Sequence, residues 1–130
     1  MTWGTPTPAT ILVVQHITAG FEAGLADWLA KEVSLDVRVA REGEEPGPGT
    51  VRVAPQGTHL LVRENGTLAL GDAPPRHGHR PSADELLLSC AAHKAEHTAG
   101  VLLTGMGRDG AEGLAALRRQ IGQIVAKRWR

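Results

Sequence analysis

The sequence predicts an α/β domain: a doubly wound, mainly parallel sheet carrying an antiparallel hairpin insertion. Three observations carry that expectation. Ile11 to Gln15, ILVVQ, is an unbroken apolar run rich in β-branched residues, which suits a strand covered on both faces. Strand-like runs alternate along the chain with stretches of helical periodicity, the pattern of strand–helix–strand units. Asn65-Gly66, set between two short apolar runs, is a hairpin signal.

The elements follow in order. Met1 to Thr10 holds Pro6 and Pro8, each after a threonine, and reads as an extended segment ahead of a single domain over residues 11–130. After the strand Ile11 to Gln15, Thr18 to Gly20 is a turn. Phe21, Gly24, Leu25, Trp28 and Leu29 then recur at helical spacing. Leu35 to Ala40 alternates apolar and polar residues and reads as a strand. Beyond a proline- and glycine-rich loop come three short strands, Val51 to Ala54, His59 to Arg63 and Leu68 to Leu70. Gln56-Gly57 and Asn65-Gly66 separate them, so this middle section is expected to be antiparallel. Ser82 with Glu85 resembles a capping box and opens a helix from Ala83 to His97. Val101 to Thr104 is the next buried strand, followed by a glycine-rich turn and a helix from Asp109 to Gln120. Ile121 to Ala126 is a last strand. No internal repeat is visible.

Composition excludes several classes of function. The formal net charge is zero, so nothing draws the chain to nucleic acid or to an anionic membrane. Aromatics are 3% of the residues, too few for a base-stacking platform. There is no apolar run of membrane-spanning length and no signal-peptide pattern. Cys90 is the single cysteine and forms no internal disulfide. A soluble, cytoplasmic protein is expected.

Sheets of this class bind ligands beyond the carboxyl ends of their strands. His16 follows the first strand and Asp109 follows Val101 to Thr104, so the two can meet there. A histidine oriented by a carboxylate is a general base awaiting a nucleophile. The glycines around Met106 let the backbone turn sharply and aim N–H groups at a developing oxyanion. Asp109 equally suits a cap on the helix that follows it, and His16 an ordinary strand-end histidine. Gly105 to Gly110 matches G-x-G-x-x-G, but no acid follows at the distance a dinucleotide site needs, so nucleotide binding is not expected. His93 and His97 stand four apart, which on a helix is one face, with Glu96 misplaced for a zinc-protease motif. His77 and His79 lie in a proline-rich loop without an obvious third ligand. No metal or cofactor is therefore expected.

The segments ILVVQHITAGF, HRPSADELLLSCA and GVLLTGMGRDGAEGLAALR resemble the catalytic domain of the CheB family of protein-glutamate methylesterases. VAPQGTHLLV fits the hairpin between them. The resemblance implies a doubly wound α/β fold that hydrolyses methyl esters on chemoreceptor glutamates, releasing methanol. It also implies a serine–histidine–aspartate triad and no cofactor. His16 corresponds to the catalytic histidine and Asp109 to its orienting acid. Met106 corresponds to the methionine whose backbone lies beside the site.

The family's nucleophile sits in a Gly-Ala-Ser-Thr-Gly-Gly turn, and this sequence holds no match to it. Ser34, Ser82 and Ser89 belong to other segments. The family's first strand and helix, its receiver domain and its C-terminal end are likewise unmatched. Three readings follow: an impaired or inactive methylesterase domain, a non-catalytic interaction module in chemosensory signalling, and a piece of a longer gene. The expected partner is a methylated chemoreceptor or another chemosensory protein, with homo-oligomerisation covering open sheet edges.

Overall fold

The computed structural model describes residues 9–102, 108–121 and 125–126. The chain begins with strand β1 (Thr10–Val13), helix α1 (Glu22–Glu32) and strand β2 (Asp36–Val39). Strands β3 (Thr50–Val53), β4 (His59–Val62) and β5 (Leu68–Gly71) follow. Helix α2 (Ala83–His93) leads into a 3-10 turn at Ala95–His97 and strand β6 (Val101–Leu102). Helix α3 (Ala111–Ile121) and strand β7 (Val125–Ala126) complete it. Among these, no helix is long and apolar enough to cross a membrane.

The main sheet has the order β1-β3-β2, with both pairings parallel. Strands β6 and β7 form a second, two-stranded parallel pair. The fold is thus α/β with a mainly parallel sheet. β4 and β5 form the antiparallel hairpin. Its turn is closed by the Gly66 N–H donating to the Arg63 carbonyl, and Gly66 takes φ +88, a left-handed conformation that favours glycine.

The sheet explains why β1 reads as a continuous apolar run, whereas β2 and β3 carry an arginine between their valines. Successive side chains point to opposite faces, and both faces are covered. Ile11, Val13, Val37, Val51 and Val53 pack on one side with Leu25, Ala26 and Leu29 of α1. Leu12, Val14, Ala40 and Ala54 pack on the other with Leu60, Val62 and Leu68 of the hairpin and Leu86 and Cys90 of α2. Leu60 and Leu68 are fully buried, each contributing about 1.5–3 kcal/mol of transfer free energy. Burial of Cys90 pushes its thiol up to about 11, so it behaves as an inert apolar residue.

Three expectations need correction. β3 is not part of an antiparallel unit: it is the parallel centre of the main sheet, and the Gln56-Gly57 turn carries the chain out to the hairpin. Local turn signals cannot report that β3 inserts between β1 and β2. The helix opened by Ser82 ends at His93, and His97 lies in the separate 3-10 turn, so the two histidines do not share a helix face. On α1, Leu25 and Leu29 face the sheet, whereas Phe21 and Trp28 are exposed. Arg52, which carried no expectation, is buried in β3, where Glu44 and the Asp36 carbonyl accept from its guanidinium.

Helices α2 and α3 pack closely at their N-terminal ends. A Cβ at Gly113 would overlap the Leu87 Cβ and lie 3.2 Å from the Asp84 carbonyl oxygen. Gly113→Ala is therefore expected to destabilise the chain by about 1–3 kcal/mol from overpacking. That sign opposes the roughly 1 kcal/mol helix-propensity gain of alanine. The urea midpoint decides: an unchanged or raised midpoint would mean that the helices do not approach this closely.

Candidate functional site

The site lies beyond the carboxyl ends of β1 and β3, where parallel pairing brings their following loops to one edge. His16 stands three residues after β1. The Gln56 side-chain amide donates to the Gln15 carbonyl at 3.0 Å, tying the two loops together. The Gln56 N–H donates to the Glu22 carboxylate at 2.9 Å, which joins them to the start of α1. That bond leads the interactions that hold the Glu22 carboxyl below its ordinary range.

The His16 Nε2–H donates to Asp109 Oδ2 at 2.7 Å. The Asp109 side chain is 2% exposed, and that of His16 is 38% exposed. Asp109 is fixed by more than His16. Its Oδ1 accepts from the Ser82 hydroxyl at 2.6 Å and from the Asp84 N–H at 3.0 Å. Its Oδ2 accepts from the Ala83 N–H at 2.7 Å as well as from His16. A carboxylate has about four lone-pair sites, and here all are taken. The donors apart from His16 are the N-terminus of α2, where free N–H groups and the helix dipole favour an anion. Burial pushes the Asp109 carboxyl up, but the bonds from Ser82, Asp84, Ala83 and His16 outweigh it and hold the carboxyl below its ordinary value.

An ionised carboxylate accepts only, so the ring proton of His16 sits on Nε2 and the lone pair on Nδ1. The ring is also held from its face. His79 stacks on it with centroids 3.7 Å apart and planes 1° from parallel. His79 is placed by a tight two-residue turn: Arg76 and His79 exchange N–H and carbonyl bonds at 2.9 Å. Between them His77 and Gly78 take φ +52 and +79, the left-handed pair that a type I′ turn requires. His16, Thr18, Gln56, His79 and Arg80 line an open, largely polar cleft of about 460 Å³. The arrangement sets an oriented imidazole at the edge of an open cleft.

The two chemistry-bearing residues picked from sequence, His16 and Asp109, therefore meet. Met106 lies outside the described residues. The bland reading of Asp109 changes in an informative way: its carboxylate caps α2, not the helix that follows it. Sequence reasoning marked Ser82 as a cap, and its hydroxyl does accept from the Glu85 N–H at 3.4 Å. It missed that the same hydroxyl donates to Asp109. It also missed His79 and the buried His59, whose Nδ1 accepts from the Ser82 N–H at 3.2 Å and whose Nε2–H donates to the Pro74 carbonyl at 3.0 Å. No local pattern marks these three contacts.

Comparison with known proteins identifies the family and the fold. A family model described as CheB methylesterase matches residues 3–129. The chain is 52% identical over 120 residues to a protein-glutamate methylesterase/protein-glutamine glutaminase 2 of Anaeromyxobacter dehalogenans, covering 92% of this chain and 35% of that protein. It is 48% identical over 120 residues to the protein-glutamate methylesterase FrzG of Myxococcus xanthus, covering 92% of this chain and 36% of that one. The chain thus spans about a third of the length of these curated relatives. The crystal structure of the Thermotoga maritima CheB methylesterase catalytic domain superposes with a TM-score of 0.84 at 35% identity, covering 95% of this chain and 66% of that one.

The Asp109 cage makes stability depend on pH with a definite sign. Its folded pKa is depressed, so its contribution is complete well above the unfolded carboxyl value of about 3.9 and is lost as pH falls through and below it. Asp109→Asn sets an NH2 group against donors and is expected to cost about 1–3 kcal/mol at neutral pH. It should also flatten the acid limb of the stability curve. Urea titrations from neutral pH to about pH 3 read both effects. A variant as stable as the parent, with the same acid limb, would contradict the cage.

Proposed function

The chain belongs to the CheB methylesterase family, and on that premise we propose that it carries the base and the orienting acid of a site that hydrolyses glutamate methyl esters on chemoreceptors. One domain over residues 11–130 carries this machinery. The observation behind the reading is the 2.7 Å bond from His16 to a carboxylate whose other three lone-pair sites are taken by the α2 N-terminus.

The chemistry follows from that geometry. A hydroxyl oxygen attacks the ester carbonyl carbon while its proton passes to His16 Nδ1. The imidazolium that forms is stabilised by Asp109, which keeps its charge because its oxygens already accept bonds from four donors. The tetrahedral centre then collapses: the bond to the methoxy oxygen breaks, and His16 returns the proton to the departing methanol. With water as the attacking hydroxyl, one ester and one water give one carboxylate, one methanol and one proton released to solvent, the second hydrogen of the water. In the family's two-step version a serine attacks first and water releases the acyl group.

Ser82 does not fill the serine's role, because it is fully buried and its hydroxyl donates to Asp109. This sequence supplies no match to the family's serine turn, so the chain by itself is assigned only the residual, water-based reaction. The partner is a chemosensory protein bearing methylated glutamates. Among the described residues β1 is paired only with β3, and a second copy is the proposed cover for its open side.

The test is methanol release from methylated receptor by the purified chain. Slow release is expected, lost in His16→Ala and reduced in Asp109→Asn. Equal release by the parent chain and His16→Ala would remove His16 from the chemistry. No release above background from a folded sample would favour a non-catalytic docking module. Light scattering should show a species larger than the monomer at high micromolar concentration, and a clean monomer would remove the second copy from β1.

A further inference from the structure

A second cluster lies at the α2 and α3 N-termini, and it uses a histidine that sequence spacing left without partner ligands. The turn that positions His79 also sets His77 Nε2 3.7 Å from Asp84 Oδ2. Glu112, in the first turn of α3, joins them. One donor atom from each of the three lies within 4.8 Å of the others. Asp84 is fully buried. Its Oδ1 accepts from the Gly113 N–H at 2.7 Å, but its Oδ2 is buried with no hydrogen-bond partner. A buried anionic oxygen without a donor is costly and points to a missing positive partner.

The surrounding charge is of the right sign and size. Among the described residues, Asp84, Glu85 and Glu112 gather around one guanidinium, that of Arg76, which lies 3.6 Å from Glu85 and 2.8 Å from Glu112. Three carboxylates against one guanidinium leave two negative charges. Arg76 Nη2 donates to both Glu112 oxygens at 2.8 Å. Each carboxylate oxygen has a further lone pair, so Glu112 can serve the guanidinium and an ion together. Zinc bonds to nitrogen and oxygen of about 2.0–2.2 Å put tetrahedral neighbours about 3.4 Å apart. The His77–Asp84 pair is already near that spacing, and the exposed Glu112 side chain can close the remainder while it keeps its Arg76 contact.

We propose that His77, Asp84 and Glu112 form a binding site for a first-row divalent transition ion, with zinc as the best match. An imidazole with two carboxylates favours such an ion over magnesium or calcium. Water would complete the coordination. The ion clamps the turn that carries His79 against both helices, and it fixes Asp84, whose N–H donates to Asp109. The inference is independent of the hydrolytic reading, since the three ligands are distinct from His16 and Asp109.

Calorimetric titration of the purified chain with zinc chloride near neutral pH tests it, alongside thermal unfolding. One ion per chain and a raised Tm are expected, with little heat from magnesium chloride. His77→Asn tolerates the left-handed backbone of this exposed turn, so folding is not at risk. It should weaken binding about tenfold or more, as should Glu112→Gln. His16→Ala and the double change His93→Ala, His97→Ala should leave binding unchanged. Absence of saturable binding would overturn the proposal and leave His77 alone as the neighbour of Asp84 Oδ2. Unaltered affinity in His77→Asn would overturn it too, by placing the ion elsewhere.

Discussion

The structure turns on a reciprocal exchange of carboxylates between two helix N-termini. Asp109, just ahead of α3, accepts from the first turn of α2. Asp84, in the first turn of α2, accepts from the Gly113 N–H of α3. Each acid satisfies donors that the other helix leaves open, and each helix dipole favours the acid it receives. Both carboxylates are buried, which would be costly for either without these donors. The exchange also dictates the packing. Two helix starts can face each other this closely only with no side chain between them, and Gly113 lies against Leu87 at that point.

Everything chemical follows from that exchange. Once the α2 N-terminus has taken three of its lone-pair sites, Asp109 has one direction left for His16. The ring that fills it is set by independent elements: the parallel pairing of β1 with β3, the Gln56 bridge to Gln15, and the stacked His79. An imidazole oriented from its edge by an anion and from its face by a second ring loses little entropy when it takes a proton, as the proposed general-base role requires. The hydrogen-bond capacity of one aspartate thus connects helix packing to chemistry.

Much of this was legible in the sequence, and the limits have a physical origin. The strand at Ile11, the hairpin at Asn65-Gly66 and the cap at Ser82 are local signals, and each appears within a few residues of its expected place. His16 and Asp109 were legible because each follows a strand-like run in a chain of α/β pattern, and the structure brings them together although β1 and β6 belong to separate parallel pairings among the described residues. Non-local pairings were not. The insertion of β3 between β1 and β2 leaves no trace in the periodicity of β3, since a strand buried on both faces reads alike in either orientation. The partner of the Ser82 hydroxyl lies 27 residues away and across a helix pair. For the same reason His77 appeared isolated: Asp84 and Glu112 reach it only after α2 and α3 have packed.

The most direct test of the central claim is the ring proton of His16. Long-range proton–nitrogen correlation on the labelled chain at neutral pH should show a downfield proton on His16 Nε2, protected from exchange and lost in Asp109→Asn. That result would place the base where the reciprocal lock requires it. A ring proton on Nδ1 would contradict the assignment, as would an Nε2 proton indifferent to Asp109→Asn, and Asp109 would then be a helix cap alone.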